Sequence, residues 1–508
     1  MPSVAQAVLR SWAIPPAATF AIVLTALVYL RGWWLLRRAG SPDVPPWRAA
    51  TFLAGLFTLW VALASPMDIF NTFLLTAHML QHMLLMMVAP PLILLGAPLV
   101  PMVRGLPVFA AREFAGPLLN WPVAKRVGSA LTHPVVALLL MGVAMFAWHT
   151  PGLYELALRS AAWHQVEHAC FFLTSIIFWW PVVQPWPSRA YWPRWAMVPY
   201  LLIADLQNTA LSAILAFSDR VLYLSYSGVP RLFGLSALQD QIAAGAIMWV
   251  VGSLAYVVPA VIIAVQCLSK TPARLEPATA RKRDKSFEEE SVQLLPALPA
   301  PPFLRTYLTA RNLEAISFLV LFIAAALGFA RLLSTSDDDD QALRFQGASG
   351  PFGVAVFASP GDLPVGQAPF SVLVQNHQSG EVLLDAAVEM TAVPAAGVAT
   401  PPATAQLSSE DSENKLLQAA ELNLPAAGDW TLKVSVRRNS DAAEFWLPLQ
   451  VTKEEPGMAF PWPYALVVGI GAILLLTYVR RHRAPKAVAP VLGVAQPAPP
   501  PECHVPNP

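Results

Sequence analysis

A chain of 508 residues, 56% hydrophobic and only 13% charged, describes a protein embedded in a bilayer and excludes an ordinary soluble domain. The formal net charge of +1 gives no overall attraction for nucleic acid. Cys170, Cys267 and Cys503, two in apolar segments and one in the tail, exclude a disulfide framework.

A helix rising about 1.5 Å per residue needs roughly 20 apolar residues to cross the hydrocarbon core. Nine runs fit, at 17–36, 49–65, 72–98, 134–150, 163–183, 197–217, 241–267, 313–333 and 461–479. The first has only Arg10 before it and Arg31, Arg37 and Arg38 after it, the reverse of a secretory signal. Basic residues then gather in alternate connections: Arg37, Arg38 and Arg48; Arg104, Arg112, Lys125 and Arg126; Arg189 and Arg194; Lys270 and Lys285 with those between them; Arg480, Arg481 and Arg483. That asymmetry predicts an outside N-terminus and a cytoplasmic C-terminus in an inner, or cell, membrane.

The expected organisation is a seven-helix core over 1–269, a cytoplasmic linker over 270–312 and an eighth helix at 313–333. A β-domain over 337–456 follows on the outer face, then the ninth helix at 461–479 and a Pro- and Ala-rich disordered tail over 484–508. In the β-domain, short alternating segments (Gly353–Phe357, Phe370–Val374, Val382–Val388, Trp430–Val436, Phe445–Val451) are separated by turn formers such as Pro360-Gly361-Asp362. About seven strands would make a small antiparallel sandwich. The predicted fold class is an all-α polytopic membrane bundle, a seven-helix core plus two further transmembrane helices, with an extracytoplasmic all-β sandwich domain.

The chemistry-bearing residues lie in the third, fourth and fifth runs. His78 and His82 are one helical turn apart, and His164 and His168 repeat the spacing, so each pair shares a helix face and can hold one ion. Met79 and Met83 add thioethers on an adjoining strip, with Met86 and Met87 beyond them, and His149 ends the fourth run. From the orientation, all five histidines fall in the outer part of the bundle, His78 and His82 roughly 9–15 Å in. Imidazole suits copper and zinc, and thioether selects cuprous copper, so copper is the expected metal. Polar groups in lipid are costly and seldom idle. Methionine at helical spacing is equally a mark of packed core, the stronger reading for Met86 and Met87. Glu167 reads as a carboxylate orienting an imidazole or as an interfacial charge, and Asp205 with Asn208 as an ion path or a structural polar cluster. Asp68, Asp240 and Gln241, at outer helix ends, read as caps. His133 lies at the opposite end from the pairs, His377 is alone in the sandwich, and Cys503-His504 sits in the tail.

The stretch from Trp60 to Pro98 contains Ser65-Pro66-Met67-Asp68, His78-Met79-x-Gln81-His82-Met83 and Pro90-Pro91-x-x-x-x-Gly96-x-Pro98. With Trp148-His149-x-Pro151-x-x-Tyr154, His164-x-x-Glu167-His168-x-x-Phe171, Phe178-Trp179-Trp180-Pro181 and Asp240-Gln241-x-x-x-Gly245-x-x-Met248-Trp249, residues of about 50–267 resemble the CtaG-like family of cytochrome-oxidase assembly proteins. The resemblance implies a seven-helix core that helps load copper into a haem–copper oxidase, with the family's histidines at His78, His82, His149, His164 and His168. Residues 345–452 resemble the FixH/YtkA-like β-sandwich through Ser359-Pro360-x-x-Leu363-x-x-Gly366 and Gly428-x-Trp430-x-Leu432-x-Val434-x-Val436, a domain also linked to oxidase maturation. The expected role is non-enzymatic copper handling, with oxidase subunits or other copper-delivery proteins as partners. A copper transporter and a b-type haem protein using His82 and His168 as axial ligands are the competing readings.

Overall fold

The computed structural model describes residues 3–269 and 342–452, apart from 189, 359–362 and 396–400. The expected eighth and ninth helices, linker and tail lie outside the described residues. The principal helices are α1 (Val4–Arg10), α2 (Pro16–Arg38), α3 (Pro46–Ala64), α4 (Pro66–Phe70), α5 (Leu75–Leu95), α6 (Leu99–Gly105), α7 (Pro122–Leu131), α8 (Pro134–Trp148), α9 (Pro151–Arg159), α10 (Ala161–Val183), α11 (Met197–Phe217) and α12 (Ala237–Leu268). Proline opens six of them, because a first turn has no intrahelical partner for the missing N–H and the fixed φ suits the helix. Six spans are long and apolar enough to cross a membrane: α2, α3 continued by α4, α5, α10, the helix ending in α11, and α12. The pair α7 and α8, bent by 68° at the break before Pro134, makes a seventh if counted as one. These coincide with the first seven apolar runs of the sequence.

α5 is interrupted for a reason written in its sequence. Pro90 has no N–H for the carbonyl of Met86 four residues back, and the indole Nε1 of Trp179 on α10 donates to that oxygen instead, at 3.0 Å. The turn before the prolines, Leu84–Val88, widens to π-helical pairing immediately below the two histidines. At its other end α5 has no side-chain cap of its own. Asp240 of α12 supplies one, accepting from Leu75 N at 2.7 Å, Thr76 N at 3.1 Å and Thr76 Oγ1 at 2.5 Å. Asp68 and Gln241 likewise join helices: Asp68 Oδ1 accepts from Gln81 Nε2 at 2.6 Å, and Gln241 Oε1 accepts from Leu222 N at 2.7 Å. Methionines 79, 83, 86, 87, 141 and 145 are buried together with aromatic side chains in the main membrane core.

The C-terminal described region is a β-sandwich of nine strands rather than about seven. They are β1 (Ala342–Ser349), β2 (Phe352–Ala358), β3 (Leu363–Pro364), β4 (Gly366–Asn376), β5 (Ala387–Pro394), β6 (Ala403–Gln406), β7 (Gln418–Leu424), β8 (Gly428–Arg438) and β9 (Asp441–Thr452). One sheet has the order β1-β2-β4-β7 and the other β3-β9-β8-β5-β6, antiparallel except between β3 and β9. The segment expected at Val382–Val388 begins later, at Ala387, because Leu384-Asp385 form a turn and Asp385 is tied to Arg438 at 2.8 Å. Alternation fixes the core: Trp430, Leu432, Val434 and Val436 of β8 all point inward.

At β2 and β4 the first sheet is buried on both faces. Val354 and Val356 of β2 face the sandwich core, whereas Ala355 and Phe357, with Leu373 of β4, pack on Ala7, Phe70, Phe73 and Leu232 of the helical part. Phe357 meets Phe73 edge-on at 5.6 Å, Gln375 Nε2 donates to Arg231 O at 2.7 Å, and Lys415 N donates to Ser11 Oγ at 3.0 Å. The sandwich thus sits over the bundle end at which α5 begins.

Candidate metal centre

The i, i+4 spacing places His78 above His82 on α5 and His164 above His168 on α10. The structure brings the two pairs face to face. Ring centroids are 4.3 Å apart in the first pair, 4.1 Å in the second, 5.1 Å from His78 to His164 and 5.3 Å from His82 to His168. His78 Nε2 is 3.0 Å from His82 Nε2. Two nitrogens each about 2.0 Å from a tetrahedral ion are ~3.3 Å apart, so this pair is near chelating geometry.

Glu167 completes the cluster, and its interfacial reading is overturned, for its side chain is wholly buried. Its Oε2 is 3.7 Å from His78 Nε2 and its Oε1 4.0 Å from His82 Nε2. Neither carboxylate oxygen has a hydrogen-bond partner, nor do His164 Nε2, His168 Nε2 or His82 Nδ1. Buried polar atoms are normally satisfied, and a buried carboxylate is costly without a compensating cation. The donor atoms form two overlapping groups, His78–His82–His168 and His78–His164–Glu167, each with its atoms within 4.8 Å of one another. Imidazole nitrogens and one carboxylate suit a divalent transition metal or copper.

The far nitrogen of His78 is held by two phenols. Its Nδ1 lies 3.0 Å from Tyr154 Oη and 3.2 Å from Tyr226 Oη, and the two hydroxyls are 3.3 Å apart. Tyr226 donates to Asn71 O at 2.7 Å, so its oxygen is left to accept. A proton on His78 Nδ1 directed at these oxygens leaves the Nε2 lone pair facing His82 and Glu167. Burial pushes both phenols well above the usual tyrosine range, so both remain protonated. Glu155 of α9 steadies the loop that carries Tyr226, accepting from Ser225 N at 3.0 Å and from the Ser225 hydroxyl.

Other residues singled out in the sequence fall in different places. His149, the C-cap of α8, is buried beside the cluster, with its ring 6.5 Å from Tyr154 and 6.0 Å from Phe171. Its Nδ1 bonds Met145 O at 2.7 Å and its buried Nε2 has no hydrogen-bond partner, but it belongs to neither donor group. Met79 and Met83 are buried in the same core as Tyr154 and Phe171. His133 caps the opposite end of α8 and packs on Tyr191 and Trp192. Asp205 accepts from Ser253 Oγ at 2.7 Å, and Asn208 donates to Met248 O at 3.1 Å. In the sandwich, His377 is exposed while Met390 is buried, so these two do not pair. Sequence reasoning missed Tyr226 and the capping partner of Asp240. Tyr226 lies in a loop without periodicity, so nothing local signals it, whereas Tyr154 stood within a motif.

A polytopic helix bundle with a buried imidazole–carboxylate cluster beneath a β-sandwich is the class of protein these elements define. Residues 27–270 match the family model described as Cytochrome c oxidase caa3 assembly factor (Caa3_CtaG), so this membrane part is similar to that family. All helices that carry the cluster lie within the match. An uncharacterized protein of Mycobacterium bovis and one of Mycobacterium tuberculosis are each 25% identical over 310 residues, 58% of this chain and 45% of theirs. An uncharacterized protein of Mycobacterium leprae is 29% identical over 276 residues, 52% of this chain and 40% of its own. The chain therefore spans less than half the length of these relatives. No solved structure matches it.

Proposed function

We propose that this chain handles copper as cargo and helps insert it into a haem–copper cytochrome c oxidase at the outer face of the membrane. The supporting observation is the cluster of buried His78, His82, His168 and Glu167 with partly buried His164, in which both carboxylate oxygens and two imidazole Nε2 atoms have no hydrogen-bond partner. In this reading the four histidines bind the ion, with His149 and Met79 or Met83 as additional ligands, and Tyr154 and Tyr226 hold His78 in the binding tautomer. The basic-residue asymmetry puts the N-terminus and the sandwich outside and the C-terminus in the cytoplasm. The sandwich then covers the end of the bundle nearest the cluster and offers a surface to oxidase subunits or copper-delivery proteins.

The haem alternative has little support. The four imidazoles pack ring against ring at 4.1–5.3 Å, whereas axial ligands must stand apart to admit a macrocycle. A transporter draws support from the methionines buried below the cluster and from Asn208 Oδ1, buried without a hydrogen-bond partner. Copper content tests the assignment. His82→Ala or His168→Ala should lower copper in the purified protein without stopping membrane insertion, and cells carrying either should assemble an oxidase that keeps haem but lacks copper. His133→Ala should do neither. Full copper content and full oxidase activity in both cluster variants would refute the assignment, and copper uptake into vesicles would favour transport.

A further inference from the structure

The donor atoms of the cluster fall into two overlapping groups of three. His78 belongs to both donor groups, and its Nε2 faces His82 Nε2 at 3.0 Å on one side and Glu167 Oε2 at 3.7 Å on the other. The groups also differ in depth. α5 starts beneath the sandwich, where Phe73 touches Phe357, and His78 lies one turn, about 6 Å, nearer that end than His82. His164 meets His78, and His168 meets His82, so α10 runs alongside in the same direction.

Resting on the copper reading above, we propose that the cluster offers a single copper ion two alternative positions, chosen by its oxidation state. The position nearer the sandwich uses His78, His164 and Glu167, the deeper one uses His78, His82 and His168, and His78 serves both. The lone pair of one imidazole nitrogen cannot serve two ions. Two cations a few ångströms apart in a buried site would also repel strongly, with a single carboxylate to offset them. The positions differ in hardness. Two nitrogens and an oxygen suit cupric copper, while three nitrogens with no carboxylate suit cuprous copper. Glu167 is therefore a direct ligand that selects the oxidation state accepted at the sandwich-side position.

The full-length chain, purified in detergent, tests this with cupric copper followed by electron paramagnetic resonance and cuprous copper followed by competition with a chromophoric chelator. The wild type should bind one copper per chain in either state. Glu167→Gln, which keeps the side-chain shape, should weaken cupric binding by at least the roughly 10–100-fold that loss of an outer-shell partner costs a metal site, and leave cuprous binding unchanged. His168→Ala should do the reverse, and His78→Ala should lose both. Two ions bound at once, a Glu167→Gln chain that binds both states as the wild type does, or Glu167→Gln and His168→Ala weakening both states alike would overturn the two positions while leaving a copper site in place. A wild-type chain that binds no copper in either state would overturn the copper reading and the two positions with it.

Discussion

Replacing Asp240 by Ala removes the cap that α12 lends to the first turn of α5. The Asp240 carboxylate is buried and accepts two backbone N–H bonds, at 2.7 Å from Leu75 and 3.1 Å from Thr76. Each bond to a charged acceptor contributes about 1.5–3 kcal/mol net, so losing both removes about 3–6 kcal/mol before the site relaxes. At about 2–4 °C per kcal/mol for a unit of this size, even the lower bound lowers the melting temperature by about 6–12 °C. Asp240→Asn keeps one acceptor oxygen and should show about half the effect. His78 is held in that first turn by its own N–H to Leu74 O at 3.2 Å, so copper affinity should fall in the same order, wild type above Asn above Ala. Thermal unfolding in detergent, followed by tryptophan fluorescence alongside a copper titration, measures both. An Ala variant that melts with the wild type and binds copper as tightly would refute the idea that α12 positions the histidine helix.

Tyr226→Phe removes one of the two phenol oxygens near His78 Nδ1 and the bond to Asn71 O, and should weaken copper binding by about 10–100-fold with little loss of fold; unchanged affinity would remove Tyr226 from the site. Gly32→Ala would put a methyl 1.8 Å from Pro101 O, a backbone atom that cannot rotate away, and should cost at least about 3 kcal/mol or abolish expression. Gly128→Ala, exposed and facing open space in α7, should be neutral or stabilise by up to about 1 kcal/mol, so equal behaviour of the two alanines would contradict the packing between α2 and α6. A fragment of residues 341–455 should fold alone by circular dichroism, and Trp430→Ala, emptying a fully buried site, should cost about 3–5 kcal/mol there; an unfolded wild-type fragment would show that the sandwich needs its helical support.

Much of the fold was legible because its signals are local. Apolar runs of bilayer length gave seven helices, proline marked where several of them start, and alternation in Trp430–Val436 gave a strand with the right residues inward. The His-x-x-x-His spacing fixed each pair on one face, since helical periodicity alone decides that. Other features depend on partners far away in the chain. Ala355, Phe357 and Leu373 read as part of an ordinary half-buried sheet until the helical surface beneath them is known. β1 has little apolar alternation and is a strand because β2 pairs with it.

The sequence by itself determined where the imidazole and thioether side chains lie and at what spacing along each helix. Only the tertiary structure decided that α5 and α10 lie side by side in the same direction, so that two pairs become one cluster. It also decided that Glu167 points into that cluster rather than toward the interface, and that Tyr226, 148 residues from His78, comes within 3.2 Å of its Nδ1. Periodicity specifies the face of a helix, whereas the neighbour of that face follows from how the helices pack against one another. That choice is made by packing and buried hydrogen bonds, which no single segment contains.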